Sequence, residues 1–128
     1  MTMIQNNSVI IYRQPLVKTF INAFNGLKYF FKKERNGKIQ AGVSVAVVIA
    51  GLYLHLSTIE WIITLFSICL VLTLELINSA LEHLCNLVHS EYHPVIKIIK
   101  DVAAGAVLLA SVISVIIGLI IFLPKILY

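Results

Sequence analysis

Apolar and polar positions alternate along the chain in a pattern that predicts helices and almost nothing else. Residues 1–14 read as a polar tail. Pro15 then suits the first turn of a helix. Leu16, Phe20, Phe24, Leu27 and Phe31 recur at helical spacing, with Lys18, Asn22, Asn25, Lys28 and Lys32 on the opposite face. A basic amphipathic helix with aromatic residues on its apolar face suits the membrane interface, which predicts an interfacial helix over residues 15–33. The charged stretch Lys32 to Lys38 reads as a break. Residues 39–56 follow as an apolar run near the short limit of a membrane span, about 17–25 residues. His55, Ser57 and Glu60 mark a turn, and Trp61 anchors the edge of the second apolar run. That helix covers residues 59–88 and carries a polar stripe in its second half. Pro94 separates it from a last helix over residues 95–124, apolar from Val102 to Leu123 and closed by Pro124 and Lys125. The pattern predicts one all-α integral membrane domain: an amphipathic interfacial helix plus three transmembrane helices.

Composition agrees. Of 128 residues, 59% are hydrophobic and 12% charged, about half the charge share of a soluble domain. The net charge is +4, but seven of the ten basic residues precede Gly42. That asymmetry predicts a cytoplasmic N-terminus by the positive-inside rule rather than a nucleic-acid surface. Three spans then leave the connection near residues 82–101 in the cytoplasm and the C-terminus outside. The first residues lack the charged and apolar regions of a cleavable signal. Cys69 and Cys85 lie sixteen residues apart on one predicted helix, roughly 24 Å and beyond disulfide reach.

The chemistry concentrates in Glu75-Leu76-Ile77-Asn78-Ser79-Ala80-Leu81-Glu82-His83-Leu84-Cys85-Asn86. Glu75, Asn78, Ser79, Glu82 and Asn86 follow spacings of three and four and share one helical face. Asn and Ser on such a stripe could serve as hydrogen-bonding glue between helices. Two acids are poor glue, because an ionisable group in lipid is expensive and normally faces a bundle interior or polar cavity. Glu34 lies at the membrane surface after the amphipathic helix, and Glu91, Tyr92, His93, Lys100 and Asp101 lie between the second and third spans. Together these are the parts phosphoryl transfer needs: carboxylates for Mg²⁺, a lysine for phosphate charge, and a carboxylate to accept a hydroxyl proton. Neither a P-loop nor a protein-kinase glycine loop is present.

Three stretches resemble the prokaryotic membrane diacylglycerol and undecaprenol kinases: Phe31 to Asn36, Glu75 to Glu82, and Ser90 to His93 running on to Lys100-Asp101 and Ala103 to Val107. The likeness covers about residues 16–124. It implies a homotrimeric bundle in the bacterial inner membrane, with the active site on the cytoplasmic face. There ATP would phosphorylate a membrane lipid alcohol. Carried over residue by residue, it implies Glu75 as general base and Glu34 and Glu82 as ligands of magnesium on the ATP phosphates. Asn78 and Asn86 would support them, Lys100 would contact phosphate, and Glu91, Tyr92, His93 and Asp101 would surround the nucleotide.

The chain also departs from the family pattern. Asn86 stands where that pattern usually has Asp, Gln40 replaces an acid of the diacylglycerol branch, and Pro15 and Asn22 replace its nucleotide-contacting Arg and Tyr. Glu34-Arg35-Asn36 and the segment from Lys100 to Val107, with Ala104 in place of Ser, look like the undecaprenol branch. The resemblance therefore implies undecaprenol as acceptor, with diacylglycerol, giving phosphatidate, as the alternative. A small proton-coupled transporter built around Glu75 is a reading of a different class, as is an inactive assembly partner suggested by Asn86.

Overall fold

The computed structural model describes residues 15–128 and contains four helices in chain order: α1 (Leu16–Lys33), α2 (Arg35–Tyr53), α3 (Thr58–Val88) and α4 (Pro94–Leu127). The polar tail expected over residues 1–14 lies outside the described residues. Helix α1 starts where Pro15 holds an extended backbone and its carbonyl accepts from the Lys18 and Thr19 N–H groups. Leu16, Phe20 and Phe24 on its apolar face are 78, 67 and 70% exposed. Among the described residues that face has no cover, which suits an interfacial helix.

One residue separates α1 from α2. Glu34 takes φ −79° and ψ 132°, which ends one helix and opens the next. Its N–H donates to the Phe30 carbonyl at 3.1 Å, and its own carbonyl accepts from the Lys38 N–H at 3.2 Å. The corner is tight because Gly37 lies against Phe30: a Cβ added there would come 2.4 Å from the Phe30 carbonyl oxygen. Phe30 is 2% exposed. The charged break expected around residues 32–38 is thus a single-residue corner, and α2 begins at Arg35 rather than at 39. Arg and Lys are good helix formers, so polarity there did not imply a loop.

The α2–α3 turn is closed at both ends. Leu56 N–H donates to Gly51 and His55 N–H to Leu52, the paired bonds of a Schellman C-cap. His55 occupies the left-handed position at φ 51°. Gly51 is needed here because a Cβ would meet the Trp61 ring at 2.8 Å. On the other side, Ser57 and Glu60 form a reciprocal capping box, with the Ser57 N–H on Glu60 Oε2 at 2.7 Å. Lys125 reaches the same carboxylate at 3.2 Å and ties the end of α4 to the start of α3.

Helices α3 and α4 make the most extensive contact in the chain, with α2 laid against α3. Val71, Cys85, Val107, Ala110 and Ile121 form the small buried core. Pro124 does not end α4, which continues to Leu127 because a proline in the last turn forfeits only one intrahelical bond. At 31 and 34 residues, α3 and α4 run roughly 46 and 51 Å and exceed a hydrocarbon core of about 30 Å. Both are long and apolar enough to cross a membrane. Apolar side chains such as Ile62, Phe66, Leu108, Val115 and Ile120 remain exposed, which suits a lipid or bundle environment and not water. The molecule is an all-α protein of membrane character.

Gly37→Ala should destabilise the α1–α2 corner by about 1–3 kcal/mol, the usual cost of overpacking. Gly26→Ala, where a Cβ meets nothing, should be neutral or slightly stabilising. Thermal unfolding of the two variants in detergent checks the contrast.

Candidate active site

The buried face of α3 follows Thr64, Ser67, Val71, Glu75, Asn78 and Cys85, at helical spacings of three, four and seven. Thr64, Ser67, Glu75 and Asn78, at 5, 7, 7 and 6% exposure, are the buried polar residues among those described. All four lie on this one helix, so the polar stripe runs through most of its length. Ser67 satisfies itself by donating to the Ile63 carbonyl at 2.9 Å. Thr64 Oγ1 and Asn78 Oδ1 have no partner. Glu75 also makes no hydrogen bond among the described residues. A buried unpaired polar group costs about 1–3 kcal/mol, so Thr64 and Asn78 are held against a standing penalty.

Two turns further along α3 the stripe reaches the α1–α2 corner. Glu34 Oε1 lies 2.9 Å from His83 Nε2, a contact between residues 49 apart in the chain. An ionised carboxylate only accepts, so the imidazole Nε2–H donates. Tyr29 of α1 meets the same imidazole edge-on, with ring centroids 6.0 Å apart. Glu82 is the chain neighbour of His83 and is exposed. Glu34 therefore lies against the turn of α3 that carries Glu82, at the solvent end of the stripe.

A second crosslink joins α3 to α4. Lys100 Nζ donates to Asn86 Oδ1 at 2.6 Å, one turn beyond Glu82. A neutral amide holds the lysine in place and leaves its charge uncompensated. Asp101 pairs instead with Lys97 on its own helix. His93 caps α4, its Nδ1 accepting from the Val95 N–H at 3.2 Å, and its ring lies 5.4 Å from that of His89. Glu91 and Tyr92 are exposed in the α3–α4 connection and make no hydrogen bond or ion pair among the described residues.

The structure thus brings Glu34 to the turn of Glu82, and Lys100 to Asn86, while Glu75 and Asn78 sit deeper on the same helix. It leaves Glu91 and Tyr92 at the periphery. His83 escaped the reading of the sequence because it flanks the stripe, although its offsets of four from Ser79 and three from Asn86 were visible there. Among the described residues no three His, Cys, Asp or Glu groups cluster as a metal cage. The half-buried Glu34 and the exposed Glu82 are carboxylates of the kind that suits a hard cation such as Mg²⁺, which commonly takes one or two protein carboxylates and completes its shell with water and phosphate oxygens.

The family model for prokaryotic diacylglycerol kinase matches residues 21–122. An undecaprenol kinase of Bacillus subtilis is 45% identical over 108 residues, covering 84% of this chain and 88% of that protein. A diacylglycerol kinase of Synechocystis is 43% identical over 113 residues, 88% of this chain and 65% of that protein. One from Escherichia coli is 39% identical over 79 residues, 60% of this chain and 64% of that protein. The matched region contains the whole polar stripe, the Glu34 corner and the Lys100 crosslink, and the chain belongs to the prokaryotic diacylglycerol kinase family.

Proposed function

We propose that the protein is a membrane-embedded lipid kinase that transfers the γ-phosphoryl group of ATP to the hydroxyl of undecaprenol. The observation that carries this reading is Glu75, a carboxylate buried in an apolar helix pair, without a hydrogen-bond partner, one turn from the unpaired Asn78 Oδ1. Such a group is poised to take a proton from an alcohol that enters from the lipid side. Glu82 lies seven residues further along α3, roughly 10 Å nearer the aqueous end. The deep acid then meets the lipid and the shallow acids meet the nucleotide. The hydroxyl oxygen bonds to the γ-phosphorus, the bond to the β-phosphate oxygen breaks, ADP leaves, and the alcohol proton passes to Glu75.

Glu34 and Glu82 would hold Mg²⁺, which when bound neutralises triphosphate charge. Lys100, positioned by Asn86, adds a positive charge beside the transferred group. Asp101, Glu91, Tyr92 and His93 border the same end of the molecule and would surround the nucleotide. We assign α2, with α3 and α4, as the three spans, α1 as the interfacial helix, and the Glu34 end as cytoplasmic, in the bacterial inner membrane. The exposed apolar faces of α2, α3 and α4 and the open surroundings of Gly42, Gly105 and Gly118 support a homotrimer of close-packed helices. Undecaprenol is preferred to diacylglycerol because the Bacillus undecaprenol kinase covers most of both chains and because Ala104 offers a diacylglycerol backbone no hydroxyl.

The direct test incubates the purified protein with labelled ATP, Mg²⁺ and equal amounts of undecaprenol and diacylglycerol in one micelle. Labelled undecaprenyl phosphate is the expected product. Phosphatidate as the main product would transfer the assignment to diacylglycerol, and no labelled lipid would remove the kinase reading. Glu75→Gln should lower turnover by about 10²–10⁴-fold, the usual worth of a positioned base, while leaving nucleotide affinity nearly unchanged. Native mass spectrometry should find trimers; monomers alone would contradict the assembly.

A further inference from the structure

Of the other acids assigned to the site, Glu75, Glu82 and Asp101 are carried on continuous helices and Glu91 lies in the α3–α4 connection. Glu34 is different. It is the one non-helical residue between α1 and α2, and its backbone is spent on ending one helix and starting the other. Nothing in the main chain fixes where its side chain points. The side chain is about one-quarter exposed, and its recorded partner is His83 Nε2 at 2.9 Å.

His83 is well placed to direct it. The imidazole rises from a rigid stretch of α3, one residue after Glu82 and three before Asn86. Its second neighbour is Tyr29, whose ring it meets edge-on at 6.0 Å. Contact between α1 and α3 is otherwise slight, whereas α1–α2, α2–α3 and α3–α4 each form broader contacts. The imidazole therefore links three things that the backbone leaves separate: the end of the amphipathic helix, the corner carboxylate and the catalytic stripe. By occupying Oε1 it leaves Oε2 as the oxygen free for another ligand.

We infer that His83 is a positioning residue of this kinase: its Nε2–H holds the Glu34 carboxylate so that the remaining oxygen faces the magnesium–nucleotide complex beside Glu82. The inference rests on the kinase reading and adds to it a residue that touches no substrate. A partner that orients a metal-binding carboxylate typically carries a 10–100-fold effect on affinity or activity when removed. His83 holds Glu34 as a donor to an acceptor, so any side chain that reaches with an N–H can replace it. A ring without an N–H cannot.

The test compares His83→Gln with His83→Phe, using binding of Mg·ADP by calorimetry in detergent and the magnesium dependence of turnover. Gln keeps the donor and loses the ring. Phe keeps the ring against Tyr29 and loses the donor. The expected result is near-native affinity for Gln, about tenfold or weaker binding for Phe, and a raised magnesium requirement for Phe at a little-changed maximal rate. Equal binding by wild type and His83→Phe would overturn the inference. So would a defect in Gln matching that in Phe, which would assign His83 to packing. Wild-type protein that fails to bind Mg·ADP would instead sink the kinase reading itself. Thermal unfolding measured without nucleotide separates the two roles further: a packing residue moves the midpoint in both variants, whereas a positioning residue moves affinity in Phe alone.

Discussion

A carboxylate buried on an apolar helix has to be held there, and the α3–α4 pair is organised around that requirement. Glu75 sits at 7% exposure on α3 and makes no hydrogen bond among the described residues. Nothing in folding favours this. An apolar side chain at residue 75 would remove the penalty and fill the same space. The position is maintained because α3 is anchored elsewhere, by its capping box, by the Lys125–Glu60 pair at one end and by the Lys100–Asn86 bond at the other. With both ends crosslinked to neighbouring segments, the middle of the helix can carry polar groups that do not stabilise it.

The same logic orders the rest of the chain. The tight corner at Gly37 and Phe30 folds the amphipathic helix back sharply enough to bring Glu34 to α3. The Schellman turn at His55 and the contact of Gly51 with Trp61 reverse the chain at the far end, so that α3 returns alongside α2. The surplus length of α3 and α4 beyond a bilayer core extends both helices past the apolar layer. At one end lie the polar and charged groups Glu82, His83 and Asn86 on α3 and Lys97, Lys100 and Asp101 on α4. A buried acid and an exposed set of charges thus lie along one helix pair, the arrangement on which the proposed reaction rests.

Much of this was legible in the sequence, for a physical reason. Lipid tolerates few polar groups, so Glu75, Asn78 and Glu82 stood out by their mere presence at helical spacing. Helix existence followed equally well from apolar runs. Helix ends did not: the charged residues after Glu34 proved to be the first turn of α2, and Pro124 sits inside α4. Those ends depend on backbone bonds that residue polarity does not report. Contacts between distant segments were also illegible. Nothing in the order of residues says that His83 meets Glu34, or that Lys100 reaches Asn86 while Asp101 turns to Lys97. The exposure of Glu82 was equally hidden, since its stripe position alone suggested burial.

The central claim is that the α3 stripe is kept for chemistry at the expense of stability. Replacing Glu75 with Met, similar in volume and apolar, separates the two directly. Lipid phosphorylation and thermal midpoint should be measured on the same purified, assembled protein. The account predicts that Glu75→Met raises the midpoint or leaves it unchanged, while phosphorylation of the lipid alcohol falls to background. A marked loss of midpoint, with phosphorylation falling only in proportion to the folded fraction, would show that Glu75 is structural glue and contradict the account.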